Sequence, residues 1–278
     1  MKKIKEITVK DIEAMNYNEL IGLTRETNRT PGGLETLKTV SRLLMLNKDT
    51  KLLDIGTSTG HSALEYSRML NCKVVGVDIN EMSLAIARER LEKFNLEKVE
   101  FICEDVTNMS FENASFDVVF AGNVTSLIDD KSKALSEYWR VLAPNGYLVA
   151  VPMYYLEQPS ESLIKDVREA IRVNIGVYYK KDWVNFFVSE DVEIFEEIDY
   201  KFLKCTDEEI NDFCEYILNR EHLKELNADA KKVLVERYIK YMHLFNENLS
   251  HMGYTIFIFR RKENEKYNDP QLYNSERV

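Results

Sequence analysis

Apolar and polar positions along the chain change rhythm twice. From Ile12 to Leu23 and from Leu34 to Leu46 apolar side chains recur at helical spacing, with Leu34, Leu37, Val40 and Leu44 in register. Between these helices the polar run from Thr24 ends in Pro31-Gly32-Gly33, which forces a turn. From Lys51 onward short apolar runs alternate with helical stretches. Lys51–Ile55, Lys73–Val77, Val99–Cys103, Phe116–Phe120 and Tyr147–Val151 predict strands. Ser62–Leu70, Ser83–Phe94 and Lys131–Leu142 predict the helices between them, with Asn80 as a cap. Strands apolar almost throughout are buried on both faces, as in a parallel sheet covered by crossover helices. The pattern predicts an α/β fold with a doubly wound, mostly parallel sheet.

Past Val151 the pattern loosens. Leu163–Ile171 and Asp182–Phe187 predict helices and Val192–Phe202 a strand. Thr206-Asp-Glu-Glu209 is a capping box that opens a helical stretch, with breaks, to about Leu249. Tyr254–Phe259 predicts the last strand, and the polar residues beyond it predict disorder. The expected organisation is a helical segment and lid over 1–49, a main domain over 50–262 with a helical cap at 203–250, and a tail over 263–278.

Composition narrows the classes. The 37 Lys+Arg against 47 Asp+Glu give a net charge of −10, which weighs against nucleic acid as a partner. No apolar run is long enough to predict a transmembrane helix, and charges interrupt any signal-like core near the start. The four cysteines form no Cys-x-x-Cys pair, so neither a metal site nor a disulfide framework is expected. The expectation is a cytoplasmic protein with reduced, mostly buried thiols, of undetermined oligomeric state.

The chemistry concentrates after the first strand, in Leu52-Leu-Asp-Ile-Gly-Thr-Ser-Thr-Gly60. A glycine-rich turn between a parallel strand and a helix brings backbone N–H groups close to a ligand. The dinucleotide fingerprint needs glycines at offsets 0, 2 and 5, and from Gly56 the second and third of these fall on Ser58 and His61. Gly56-Thr-Ser-Thr-Gly60 also matches the nucleophile elbow of serine hydrolases, with Ser58 as nucleophile. That fold places strands ahead of its nucleophile, whereas helical sequence precedes Leu52. A third reading uses more of the chain. Asp54 opens the loop, Asp78 ends the second strand, and Glu104-Asp105 follows the third. Carboxylates at successive strand ends suit a nucleoside, because each accepts from hydroxyl or amino donors.

At LLDIGTSTG (52–60), VVGVDIN (74–80), CEDV (103–106), FDVVFAGNV (116–124) and WRVLAPNGYLVAV (139–151) the sequence resembles the class I S-adenosylmethionine-dependent methyltransferases. YTIFIFRRK (254–262) is similar to that family's reversed final strand. The resemblance implies a seven-stranded, Rossmann-like methyltransferase fold and S-adenosylmethionine as cofactor. It implies that Asp54, Gly56, Thr57 and Gly60 line the methionine part of the cofactor, and that Asp78 holds the ribose. Ile79 would lie against the adenine, Asp105 and Val106 beside its amino group, and Asn123, with Gly122, near the sulfonium. Ser58 stands where the family has a glycine.

The implied reaction is methyl transfer to an O, N or S atom of a small-molecule acceptor, with intramolecular cyclisation or aminocarboxypropyl transfer as the alternative chemistry. No residue is singled out as a catalytic base. Arg25 and Arg29, four apart, would share a face if the first helix continued, and could grip a carboxylate or close over the cofactor. Tyr154, Tyr155 and Trp183 are candidate walls of the acceptor pocket, and Trp139 is expected in the core.

Overall fold

The structure, a computed structural model, describes residues 3–262. The expected tail at 263–278 lies outside the described residues. Two short helices open the chain, α1 (Val9–Ala14) and α2 (Tyr17–Thr24), followed by α3 (Gly33–Leu43). The expected single helix over 12–23 is divided because two capping boxes, Thr8 with Asp11 and Asn16 with Glu19, each start a helix of their own.

The alternating region follows as β1 (Lys51–Ile55), α4 (His61–Leu70), β2 (Lys73–Asp78), α5 (Glu81–Phe94), β3 (Val99–Cys103), β4 (Phe116–Ala121), α6 (Lys131–Val141) and β5 (Leu142–Ala150). Then come β6 (Met153–Tyr155), α7 (Glu161–Ile171), α8 (Lys180–Phe187), β7 (Val192–Lys201), α9 (Asp207–Leu218), α10 (Ala228–Ser250) and β8 (Met252–Arg261).

Strands β3, β2, β1, β4 and β5 pair in parallel in that order. β8 runs antiparallel to β5, and β7 pairs antiparallel along the other edge of β8. The short β6 shares the β5 edge of β8 beyond Pro152, so eight segments fill seven positions across the sheet. Sequence patterning missed β6 because three residues carry no readable period.

Apolar side chains pack three cores. On one sheet face Leu53, Ile55 and Val119 meet Tyr138 of α6 and Trp183 and Phe187 of α8. On the other, Leu52, Val118 and Phe120 meet Leu37 and Val40 of α3, Tyr66 of α4 and Ala87 of α5. The third core lies off the sheet, where Ile12 and Leu20 pack against Ile210 and Cys214 of α9 and Leu234 and Tyr238 of α10. The chain's first helices and the helices inserted between β7 and β8 are thereby one packed unit. Cys72 and Cys214 are buried while Cys103 and Cys205 are exposed, so the thiols are less uniformly buried than expected.

Candidate functional site

Parallel strands deliver their ends to one edge of the sheet, and the registers Asp54↔Gly76 and Asp78↔Cys103 bring the acidic ends of β1 and β2 alongside β3. The turn after β1 depends on two glycines. Gly56 has φ +64°, and a Cβ there would stand 2.6 Å from Val124 Cβ. Gly60 has φ +80°, and its Cβ would lie 2.7 Å from the Phe101 ring. Neither position tolerates a side chain. Ser58, at the family's glycine position, also has a left-handed φ of 50°. Its N–H donates to Asp78 Oδ2 at 2.9 Å, which ties the loop to the end of β2.

Asp54 is 3% exposed and accepts from Thr57 Oγ1 at 2.6 Å. Burial pushes its carboxyl up to about 7, against the opposing bonds from Thr57 and the Ala63 N–H, and the Asp78 charge adds to the rise. Among the described residues no ion pair reaches Asp54, so its carboxyl is buried without a counter-charge. Asp78 is fixed by Ser58 N–H on one oxygen and Asn80 N–H, at 2.8 Å, on the other. Next to it Ile79 stands 73% exposed, an apolar surface beside the loop. Asp105 accepts from the N–H and hydroxyl of Thr107, which hold its carboxyl below the usual range, and Val106 behind it is buried.

A cavity of about 560 Å³ opens at this edge. Of the residues expected from sequence, Asp54, Gly56, Thr57, Gly122, Asn123, Arg29, Tyr154 and Tyr155 line it. Asp78, Ile79, Asp105 and Val106 lie along the strand ends outside its wall, and Gly60 turns the chain into α4.

Two expected acceptor contacts are corrected. Helix α2 stops at Thr24, so Arg25 and Arg29 do not share a helical face. Arg25 instead pairs with Glu89 of α5 at 3.1 Å, away from the cavity. Trp183 is 2% exposed, stacks near Phe187 and donates its indole N–H to Met153 O at 3.2 Å. It is core, because its ring faces α8's neighbours rather than the open space. Trp139, expected in the core, is half-buried at its margin with Arg261 over its ring.

The segment between α2 and α3 is strapped across the loop. Asn28 Nδ2 donates to Ser58 Oγ at 3.3 Å, and Arg90 of α5 donates to Thr59 O and to Arg25 O. Arg220, just past α9, donates to Thr24 O and Arg25 O. Thr30, buried and lining the cavity, has no hydrogen-bond partner for its hydroxyl. His61, the first residue of α4, is driven down to about 4 by burial and by the Arg29 charge, so it stays neutral.

The Ser58 hydroxyl meets Asn28 and no imidazole. His222 bonds Leu23 O, His243 faces Asp207 and His251 lies between Glu157 and Glu247. Among the described residues no serine–histidine pair supports the hydrolase elbow.

Sequence reasoning did not find the far wall of the cavity. Val167 and Ile171 of α7, Ile175, and Phe245, Asn248 and Leu249 of α10 form it. Their spacing is that of any amphipathic helix, so no local signal separates them from core.

A family model described as a methyltransferase domain matches residues 46–205. Phosphoethanolamine N-methyltransferase 2 of Caenorhabditis elegans is 33% identical over 126 residues, 45% of this chain and 29% of that protein. The chain thus spans about three tenths of that relative's length. The solved structure of the MccD protein superposes with a TM-score of 0.73 at 27% identity, covering 85% of this chain and 100% of that one. Phosphoethanolamine N-methyltransferase 2 of Haemonchus contortus, solved with phosphomonomethylethanolamine and S-adenosylhomocysteine, superposes with a TM-score of 0.67 at 21% identity, over 92% of this chain and 58% of that one.

Proposed function

This chain belongs to the methyltransferase-domain family of S-adenosylmethionine-dependent enzymes, and from that premise we propose that it methylates an O, N or S atom of a small molecule bound in the 560 Å³ cavity. The observation that carries the proposal is the run of Asp54, Asp78 and Asp105 at three adjacent strand ends, with the Gly56 turn opening onto the cavity.

The residues present fit the cofactor. Asp54 would take the ammonium of its methionine part, and that end of the cavity also holds Arg29, whose guanidinium suits the carboxylate. Asp78 would accept from the ribose hydroxyls, Ile79 would cover the adenine, and Asp105 with Val106 would border its amino edge. Bound there, S-adenosylmethionine supplies an already activated methyl group. The protein's share is then alignment and exclusion of water. Gly122 and Asn123 fix the floor, with Asn123 Oδ1 held by the Met153 N–H at 3.2 Å. Residues 28–32 of the strap and helix α10 close the sides.

A charge of −10 supports an acceptor other than nucleic acid. No helix among the described residues is long and apolar enough to cross a membrane, and a cytoplasmic location is part of the proposal.

Calorimetric titration with S-adenosylhomocysteine tests the cofactor half: wild type binds and Asp78→Ala binds at least about tenfold more weakly, a loss of about 1.4 kcal/mol. Absence of binding to the wild type would refute it. Product analysis tests the chemistry. Methyl transfer yields S-adenosylhomocysteine, whereas methylthioadenosine would indicate cyclisation or aminocarboxypropyl transfer.

A further inference from the structure

We infer that the acceptor is apolar and uncharged over the part that enters the cavity; this rests on the proposal that the Gly56–Ser58 end holds the cofactor. Among the described residues that line the cavity only Asp54 brings a carboxyl and only Arg29 a guanidinium, with no lysine, histidine or glutamate, and both belong to the proposed cofactor end. Arg29 is placed there by its neighbour Asn28, bonded to Ser58, and by the charge it exerts on His61 at the start of α4. With both charges engaged by the methionine part, none is left for the acceptor.

The remaining wall is apolar, formed by Val167, Ile171, Ile175, Phe245 and Leu249. Three of the polar side chains beside it, Tyr154, Tyr155 and Asn248, are engaged within the protein. The Tyr155 hydroxyl donates to Asn248 Oδ1 at 2.7 Å, and Asn248 Nδ2 contacts Met252 Sδ at 3.3 Å. The Tyr154 hydroxyl is taken by Thr255 Oγ1 at 2.8 Å. A phosphate entering this half would lose its water and find no opposite charge, a transfer that strongly disfavours binding. An apolar body loses nothing polar and covers the wall. The Thr30 hydroxyl is unpartnered and borders Gly122, whose Cβ would lie 3.0 Å from it.

The test uses the whole protein saturated with S-adenosylhomocysteine and the neutral fluorophore N-phenyl-1-naphthylamine as probe. The expected result is fluorescence enhancement that 1-decanol reverses and phosphoethanolamine does not. Ile171→Asp should weaken the probe about tenfold or more while leaving S-adenosylhomocysteine affinity within about twofold, which also reports that the variant is folded. Competition by phosphoethanolamine, or equal probe binding by Ile171→Asp, overturns the inference while leaving the cofactor reading intact. Failure of the wild type to bind S-adenosylhomocysteine overturns the cofactor reading and this inference with it. The competition arm needs no variant, so it decides the matter even if Ile171→Asp does not fold.

Discussion

At Asp54 a carboxyl is held where its ionisation opposes folding and, on the proposed cofactor reading, would favour binding. Its pKa, raised to about 7 by burial, means the folded chain keeps a proton that the unfolded chain releases near pH 4. This group's contribution to stability therefore falls as pH rises from about 4 to about 7, by about 4 kcal/mol in order of magnitude, and stays lost above that. Asp54→Asn should melt at a higher temperature than wild type at pH 8, and the difference should vanish near pH 4. His61 titrates in an overlapping window but contributes to both proteins alike. The ligand dependence has the opposite sense: S-adenosylhomocysteine affinity should rise from pH 6 to pH 8 in the wild type and be low and flat in the variant. A wild type and variant with parallel melting curves across pH would show that Asp54 is not the titrating group.

Two loop positions make a second contrast. Gly56→Ala adds a Cβ close to Val124 at a positive φ and should cost about 1–3 kcal/mol as well as cofactor affinity. Ser58→Gly relieves the left-handed φ and keeps the N–H that bonds Asp78, so its melting temperature should stay level or rise. Differential scanning fluorimetry separates the two. These residues were legible because strand ends and turn glycines leave a mark in the sequence. Trp183 was not, because an aromatic residue on a short helix can face core or cavity with the same spacing.

Between elements, the strap over 24–32 depends on donors from α5 and from Arg220 just past α9. Arg90 reaches Thr59 O, Arg25 O and Glu26 O, while Arg220 reaches Thr24 O and Arg25 O. The C-terminal carbonyls of α2 are thus satisfied by side chains far along the chain, as a helix end requires. Arg90→Met removes one set of these bonds and should speed tryptic cleavage after Arg25 and Arg29 severalfold, with S-adenosylhomocysteine slowing it again. Unchanged cleavage would mean the segment is held by packing alone. The strap's existence could be anticipated from Pro31-Gly32-Gly33, but its clamps could not, since Arg90 and Arg220 lie 65 and 195 residues from Arg25. The strands and crossover helices were readable because each carries its own period. The split of the first helix needed the Asn16 cap to be weighed against a continuing apolar stripe.

For the molecule as a whole, the third core couples cavity and fold. Tyr17 and Asn18 of α2 and Phe245, Asn248 and Leu249 of α10 face the cavity, while Leu20 on the same α2 is fully buried against α9 and α10. None of this core's members belongs to the sheet, so it can open without breaking the β ladder. Leu20→Ala should cost about 3 kcal/mol through the cavity it leaves. If the loss is felt locally, amide exchange in α1, α2 and α9 should speed up by roughly two decades while β1 and β4 keep their protection. The same opening would disassemble the acceptor wall but leave the carboxylates at the strand ends in place. S-adenosylhomocysteine affinity should therefore fall less than N-phenyl-1-naphthylamine affinity in this variant. Exchange that accelerates evenly through sheet and helices would show instead that the three cores unfold together, and the two affinities would then fall in step.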